Sequence, residues 1–215
     1  MIGKIYKIII KPIKDIIHSK RLKRRFNSIV LRDNTIISSN CVAGLLYHDI
    51  GLKFNSPIID LTFSPNDFIV FCENISNLNN SSICQIKTDK KYPVGKLLFN
   101  ETGQEVTIYF VHYSNFGDAK AKFYERCERI QKETRIIFMV KELTDDMIIS
   151  FEKFEYKKIC IYGKYDGNRA LNNGYFRNYK PLFLSSKDVF SYKNVFSTKK
   201  IIDDIWDFLI KFSFL

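Results

Sequence analysis

Residues 35–51, TIISSNCVAGLLYHDIG, fit few architectures. Thr35–Ser38 is a short apolar strand, and Ser39, Asn40 and Cys41 form a polar turn. The spacing from Val42 to about Asp49 predicts a helix, which Gly51 closes as a C′ glycine. A strand that turns tightly into a helix is a common way to build a ligand site in an α/β protein. The backbone N–H groups at the helix start are free, and the dipole there favours negative charge. A cysteine sits at that point.

The rest of the chain repeats the alternation. SPIIDLTF (56–63) reads as a second strand from its β-branched run. Ser64-Pro65 is a cap followed by proline at the first helical position, and Phe68, Phe71, Cys72, Ile75 and Leu78 give a helix over about 65–78. NLNNSS (77–82) reads as a polar loop. Tyr92–Phe99 and Glu105–Tyr113 read as a hairpin with Gly103 in its turn. Ser114 or Asn115 then caps a helix across 116–131, whose core stripe is Phe116, Ala119, Phe123, Cys127 and Ile130. RIIFMVKE (135–142) is a strand, Thr144 caps a short helix to about Phe154, and KKICIYG (157–163) is another strand. Residues 164–180 form a long loop rich in Tyr, Asn, Arg and Gly, and 201–212 an amphipathic helix around Trp206. The fold class expected is α/β: a single domain over residues 29–215, with a mostly parallel sheet flanked by helices and an antiparallel hairpin insertion. A basic amphipathic arm occupies residues 1–28.

Most of the net charge of +11 belongs to that arm, since residues 1–25 carry nine lysines and arginines against Asp15. Ile5, Ile8, Ile9, Ile13, Ile16 and Ile17 recur at helical spacing among the lysines, and Pro12 interrupts them. Two readings stay open for residues 1–25, contact with an anionic membrane surface and packing of the isoleucines on the body. A nucleic-acid partner is disfavoured, because the basic residues do not continue over the body and no nucleic-acid motif is present. Five cysteines without paired spacing argue against a disulfide scaffold and against structural zinc, so no metal site is expected. With no signal peptide and no apolar run long enough to span a bilayer, the expected location is the cytoplasm, peripheral at the inner face of the cell membrane.

Cys41 is the sharpest candidate for chemistry, because a helix N-terminus favours thiolate. A thiolate needs a proton carrier within hydrogen-bond reach. His18 lies in the arm, and His48 lies about 10 Å further along the helix. His112 would reach Cys41 if its strand ran parallel to Thr35–Ser38, since ligands of open α/β sheets bind at the carboxyl ends of strands. Around this pair, Ser39, Asn40 and Tyr113 are candidate substrate contacts. Arg126 and Arg129 could clamp a phosphate or sugar acid, although Glu125 and Glu128 also suit them to a solvated salt-bridged face. Tyr175 and Arg177 in the 164–180 loop suit sugar stacking and hydroxyl recognition. A structural reading stands beside the catalytic one, with Cys41 filling the corner and Ser39 and Asn40 capping the helix.

IISSNC (36–41), DIGLKFNSP (49–57), NDFIVFCENI (66–75), YPVGKL (92–97) and IYFVHYSNFGDAKAKFYERCERI (108–130) together resemble an uncharacterised bacterial family, number 1919 among the domains of unknown function. Its members are often labelled exopolysaccharide biosynthesis proteins. The resemblance covers most of 35–210 and leaves the arm outside. It implies an α/β fold and a place in capsule or exopolysaccharide assembly, with a sugar or polysaccharide-precursor substrate, and it implies no reaction or cofactor. The expectation is a transferase of acyl, glycosyl or phosphoryl groups using Cys41 and His112. The alternative is a non-catalytic glycan- or partner-binding protein.

Overall fold

The computed structural model describes residues 34–172 and 174–178 of the 215. The basic arm, the end of the 164–180 loop and the Trp206 helix lie outside the described residues.

Two sheets share one continuous apolar core, and the α/β class read from the sequence holds. The first sheet is parallel throughout, with strands β1 (Asn34–Ser38), β5 (Glu133–Leu143), β6 (Lys157–Tyr165) and β7 (Phe176–Asn178) in the order β1-β5-β6-β7. The second is antiparallel, with β2 (Ser81–Ile86), β3 (Val94–Phe99) and β4 (Glu105–Tyr109) in sequence order. The helices are α1 (Val42–Ile50), α2 (Pro65–Glu73), α3 (Phe116–Cys127) and α4 (Asp145–Glu152), with a 3-10 turn at Ile75–Asn80.

Residues 134–140 of β5 are buried without a break, as a central parallel strand requires. Phe138 carries one face of it. The Phe68 ring of α2 stacks on Phe138 at 5.6 Å between centroids, and Phe151 of α4 packs on it at 5.8 Å. The caps agree with the sequence, as Ser64, Asn115 and Thr144 accept from the backbone N–H of Asp67, Asp118 and Met147. Cys72, Cys127 and Cys160 are buried core residues, as their spacing suggested.

Three expectations change. SPIIDLTF is not a strand, because Pro57 lacks an N–H and Asp60 turns left-handed at φ 67°; only Thr62 makes a ladder contact, an isolated bridge to Tyr109. NLNNSS is not a free loop, since its last two residues begin β2. The α2 helix ends at Glu73, where the chain tightens into the 3-10 turn.

One outer strand of each sheet is lined by side chains that bond its backbone. Tyr47 of α1 is fully buried, and its hydroxyl accepts from Ile36 N–H at 2.9 Å and donates to Asn34 C=O at 3.1 Å on the edge of β1 that faces away from β5. On β2, Tyr124 and Lys120 of α3 donate to the carbonyls of Ser81 and Ile83. Tyr47→Phe strands a buried donor and a buried acceptor while keeping the ring. The expected loss is ~1–3 kcal/mol, read as a lower urea midpoint at unchanged slope.

Candidate functional site

The end of β1 is held by its own polar residues. The chain leaves the ladder after Ser39, whose N–H donates to Ile137 C=O at 3.2 Å. Beyond that point the Ser39 hydroxyl takes over the pairing, accepting from Met139 N–H at 2.9 Å and donating to Met139 C=O at 3.0 Å. A side chain thus does for β5 what another strand residue would have done, and the backbone is free to turn. Asn40 Oδ1 accepts from Val42 N–H at 3.1 Å, an Asx turn, and Ser38 Oγ accepts from Ala43 N–H at 2.9 Å. Cys41 is the one residue of this turn whose side chain takes no part in holding it. Ser39 and Asn40, candidate substrate contacts from the sequence, are buried, and their side chains are engaged in holding the turn that carries Cys41.

Cys41 Sγ lies 3.7 Å from His112 Nε2. The pair expected from the sequence meets in space, by a route the sequence did not suggest. His112 does not lie on a strand parallel to β1. It sits in the turn after β4, at the end of the other sheet, and that turn is seated by Phe110, a fully buried ring. Phe110 packs over Gly95 so closely that a Cβ there would stand 3.0 Å from its ring. His112 is exposed and Cys41 half-buried, so the thiol–imidazole contact is reachable from solvent. His48 is exposed in the last turn of α1, as expected of a residue too far along the helix to take part.

Charge around the thiol corrects one expectation. The helix start does not favour thiolate here. Burial, and secondly the carboxylate of Asp60, push the Cys41 thiol from 9.0 up to about 11. Two of the N–H groups that would have stabilised an anion are already occupied by Asn40 and Ser38, which leaves those of Cys41 and Gly44. A raised value means a neutral thiol at pH 7, and thiolate grows in only as the pH climbs. Alkylation of Cys41 by iodoacetamide is therefore expected to keep rising past pH 10 instead of levelling near 8. Asp60→Asn should move that limb to lower pH, and an unmoved limb would show that Asp60 does not act on the thiol.

Arg126 is buried at the α3 surface instead of lying on a solvated face. Its Nη1 donates to Ile59 C=O at 2.8 Å and to the Tyr113 hydroxyl at 3.0 Å, and its Nη2 is 3.9 Å from Asp60. It ties the left-handed turn at Asp60 to Tyr113, the neighbour of His112. Arg129, in the turn just past the end of α3, pairs with Glu125 of that helix, as the charge pattern allowed, and donates to Phe54 C=O. Both guanidinium groups thus have partners within the chain, Arg126 in the interior and Arg129 at the partly exposed surface. Tyr175 and Arg177 stand at β7, three strands from β1 and on the order of 14 Å away at the usual strand spacing, so they are not part of the Cys41 site. Tyr175 instead covers the Lys158 ammonium at 5.2 Å.

Asp60 escaped the sequence reading. Its one visible signal would have been a lone carboxylate inside an apolar run. A concavity of about 260 Å³ lies apart from Cys41, at the carboxyl ends of β5 and β6 between Glu142, Asp145, Lys164, Tyr165 and Asp166. There the Tyr165 hydroxyl donates to Asp145 at 2.6 Å. Among the described residues no group of three or more His, Cys, Asp or Glu is placed to hold a metal ion. Nor is any described helix long and apolar enough to cross a membrane.

The family model described as "Domain of unknown function (DUF1919)" matches residues 6–208, and so extends into the basic stretch that the quoted motifs left out. The chain is also similar to a Haemophilus influenzae protein named "Uncharacterized protein", at 32% identity over 130 residues. That stretch is 60% of this chain and 60% of the relative, so the chain spans about three fifths of the relative it matches.

Proposed function

The chain belongs to the DUF1919 family, and from that footing we propose that it is a cysteine-dependent acyltransferase with Cys41 as nucleophile and His112 as proton carrier. The observation that carries the proposal is the 3.7 Å approach of Cys41 Sγ to His112 Nε2 across two sheets and 71 residues of chain. In the first half-reaction His112 Nε2 takes the thiol proton as the Cys41 sulfur bonds to the acyl carbon. The bond to the donor's leaving group then breaks, and His112 returns the proton to that group. In the second, His112 takes the proton of an acceptor hydroxyl, the new C–O bond forms, the C–S bond breaks, and the proton returns to sulfur. With the N–H groups of Val42 and Ala43 occupied, the backbone N–H of Cys41 would be the donor offered to the developing oxyanion. A neutral resting thiol suits this scheme, since His112 removes the proton only as the bond forms.

Acyl transfer is favoured over phosphoryl transfer because Arg126 is buried on Ile59 C=O and the Tyr113 hydroxyl, and Arg129 is paired with Glu125. A sugar hydroxyl of capsule or exopolysaccharide assembly as the acceptor rests on the family resemblance alone. The test is to trap the intermediate. Incubation with p-nitrophenyl acetate should leave one hydroxylamine-sensitive acetyl group, which peptide mass mapping places on Cys41. Acetylation confined to the exposed Cys84 would sink the proposal.

A second reading, a non-catalytic binding protein, is favoured by the thiol value near 11. It predicts that Cys41 gains no acyl group, and that its alkylation is indifferent to His112.

A further inference from the structure

Two loops from different sheets must be held in register for Cys41 and His112 to meet, and one residue touches both. Thr62 N–H donates to Tyr109 C=O at 2.9 Å, and Tyr109 N–H donates back to Thr62 C=O at 3.0 Å. Those bonds fix the last residue of β4, three positions before His112. The Thr62 hydroxyl meanwhile donates to Ser39 C=O at 3.0 Å, two positions before Cys41. Thr62 is buried at 7% exposure, in a segment with no strand pairing of its own beyond this bridge. Its backbone therefore belongs to the His112 side and its side chain to the Cys41 side.

From this connection we propose that Thr62 is a positioning residue of the Cys41–His112 pair, whose hydroxyl sets the sulfur-to-imidazole approach by joining the two loops. The inference rests on the acyltransferase reading and adds to it a residue that touches neither substrate nor the reacting atoms. Thr62→Val keeps the β-branched shape and the backbone bridge and removes only the bond to Ser39. Thr62→Ser keeps the hydroxyl.

The experiment measures iodoacetamide labelling of the full chain from pH 6.5 to 11, resolved by peptide, with the exposed Cys84 as internal reference. In the wild type, labelling of Cys41 has a His112-assisted component near neutrality and a thiolate limb at high pH. His112→Ala should remove the first and leave the second. Thr62→Val should lower the neutral component about fivefold, the weight of one hydrogen bond, with the alkaline limb in place. Thr62→Ser should restore it. If His112→Ala slows labelling and Thr62→Val does not, Thr62 has no positioning role and the inference fails. If His112→Ala itself changes nothing, the acyltransferase reading fails first. Thr62→Ala serves as a second variant, and unfolding of both Thr62→Val and Thr62→Ala would make Thr62 a residue of the fold and overturn the proposal.

Discussion

Cys41→Ala is expected to accept no acetyl group at position 41 from p-nitrophenyl acetate. His112→Ala, which keeps the sulfur, should acylate roughly 10²–10⁴-fold more slowly at pH 7.5, the usual contribution of a positioned proton carrier. The pairing of the two results matters more than either. A nucleophile and its base act as a unit, so the double variant should be no slower than Cys41→Ala alone. The fold gives good controls here. The Cys41 side chain has no part in the bonds that hold its turn, and His112 is exposed. Both single variants should therefore unfold within about 0.5 kcal/mol of the wild type, the range of ordinary surface changes. Full acylation in His112→Ala would remove the proton carrier from the mechanism and leave the 3.7 Å approach without a function.

Ser39→Ala should cost more stability than any other change proposed. The substitution removes one hydroxyl but strands two backbone groups, the N–H and C=O of Met139, in the centre of the parallel sheet. Each orphaned buried group costs ~1–3 kcal/mol, and no water reaches a site where Ser39 is 2% exposed. The expected result is a loss of several kcal/mol in urea unfolding, at the large end of single substitutions. Ser39→Thr keeps the hydroxyl and should recover most of that loss. If Ser39→Ala were as stable as the wild type, β5 would have found other partners for Met139, and the turn would not depend on this serine.

The strand–turn–helix at 34–51 could be read from the chain because its signals are local. An apolar run, three small polar residues and Gly51, at φ 68°, each act within a turn of themselves. His112 is the histidine left for Cys41 once His18 and His48 are set aside, but it arrives from the antiparallel sheet and not from a strand parallel to β1. Sequence periodicity does not say which sheet a strand joins, and β4 joined the antiparallel one. Strand β2 was hidden because only Ile83 of its six residues is buried, so it shows no alternation to read. SPIIDLTF misled in the opposite sense. It is buried nearly throughout and β-branched, yet a proline and a left-handed aspartate keep it from pairing. Arg126 lies three positions after Phe123, at the border of the apolar stripe, and the packing drew it inward to meet the Ile59 carbonyl. Such tertiary contacts leave no periodic trace.

The pairing of Ser39 with Met139 also bears on how the molecule comes into being. The two residues are 100 positions apart, and everything between them, the antiparallel sheet included, must be made before they can meet. At ribosomal rates of roughly 5–20 residues per second, the SSNC turn waits on the order of 5–20 s for the strand that completes it. During that time β1 can hydrogen-bond to α1 through Tyr47 but not to β5, its partner among the described strands, and such long-range pairing is slow to form. The Cys41 corner thus cannot be completed before β5 has been made. A nascent chain, or one cut short before β5, holds Cys41 without the lattice that aims it.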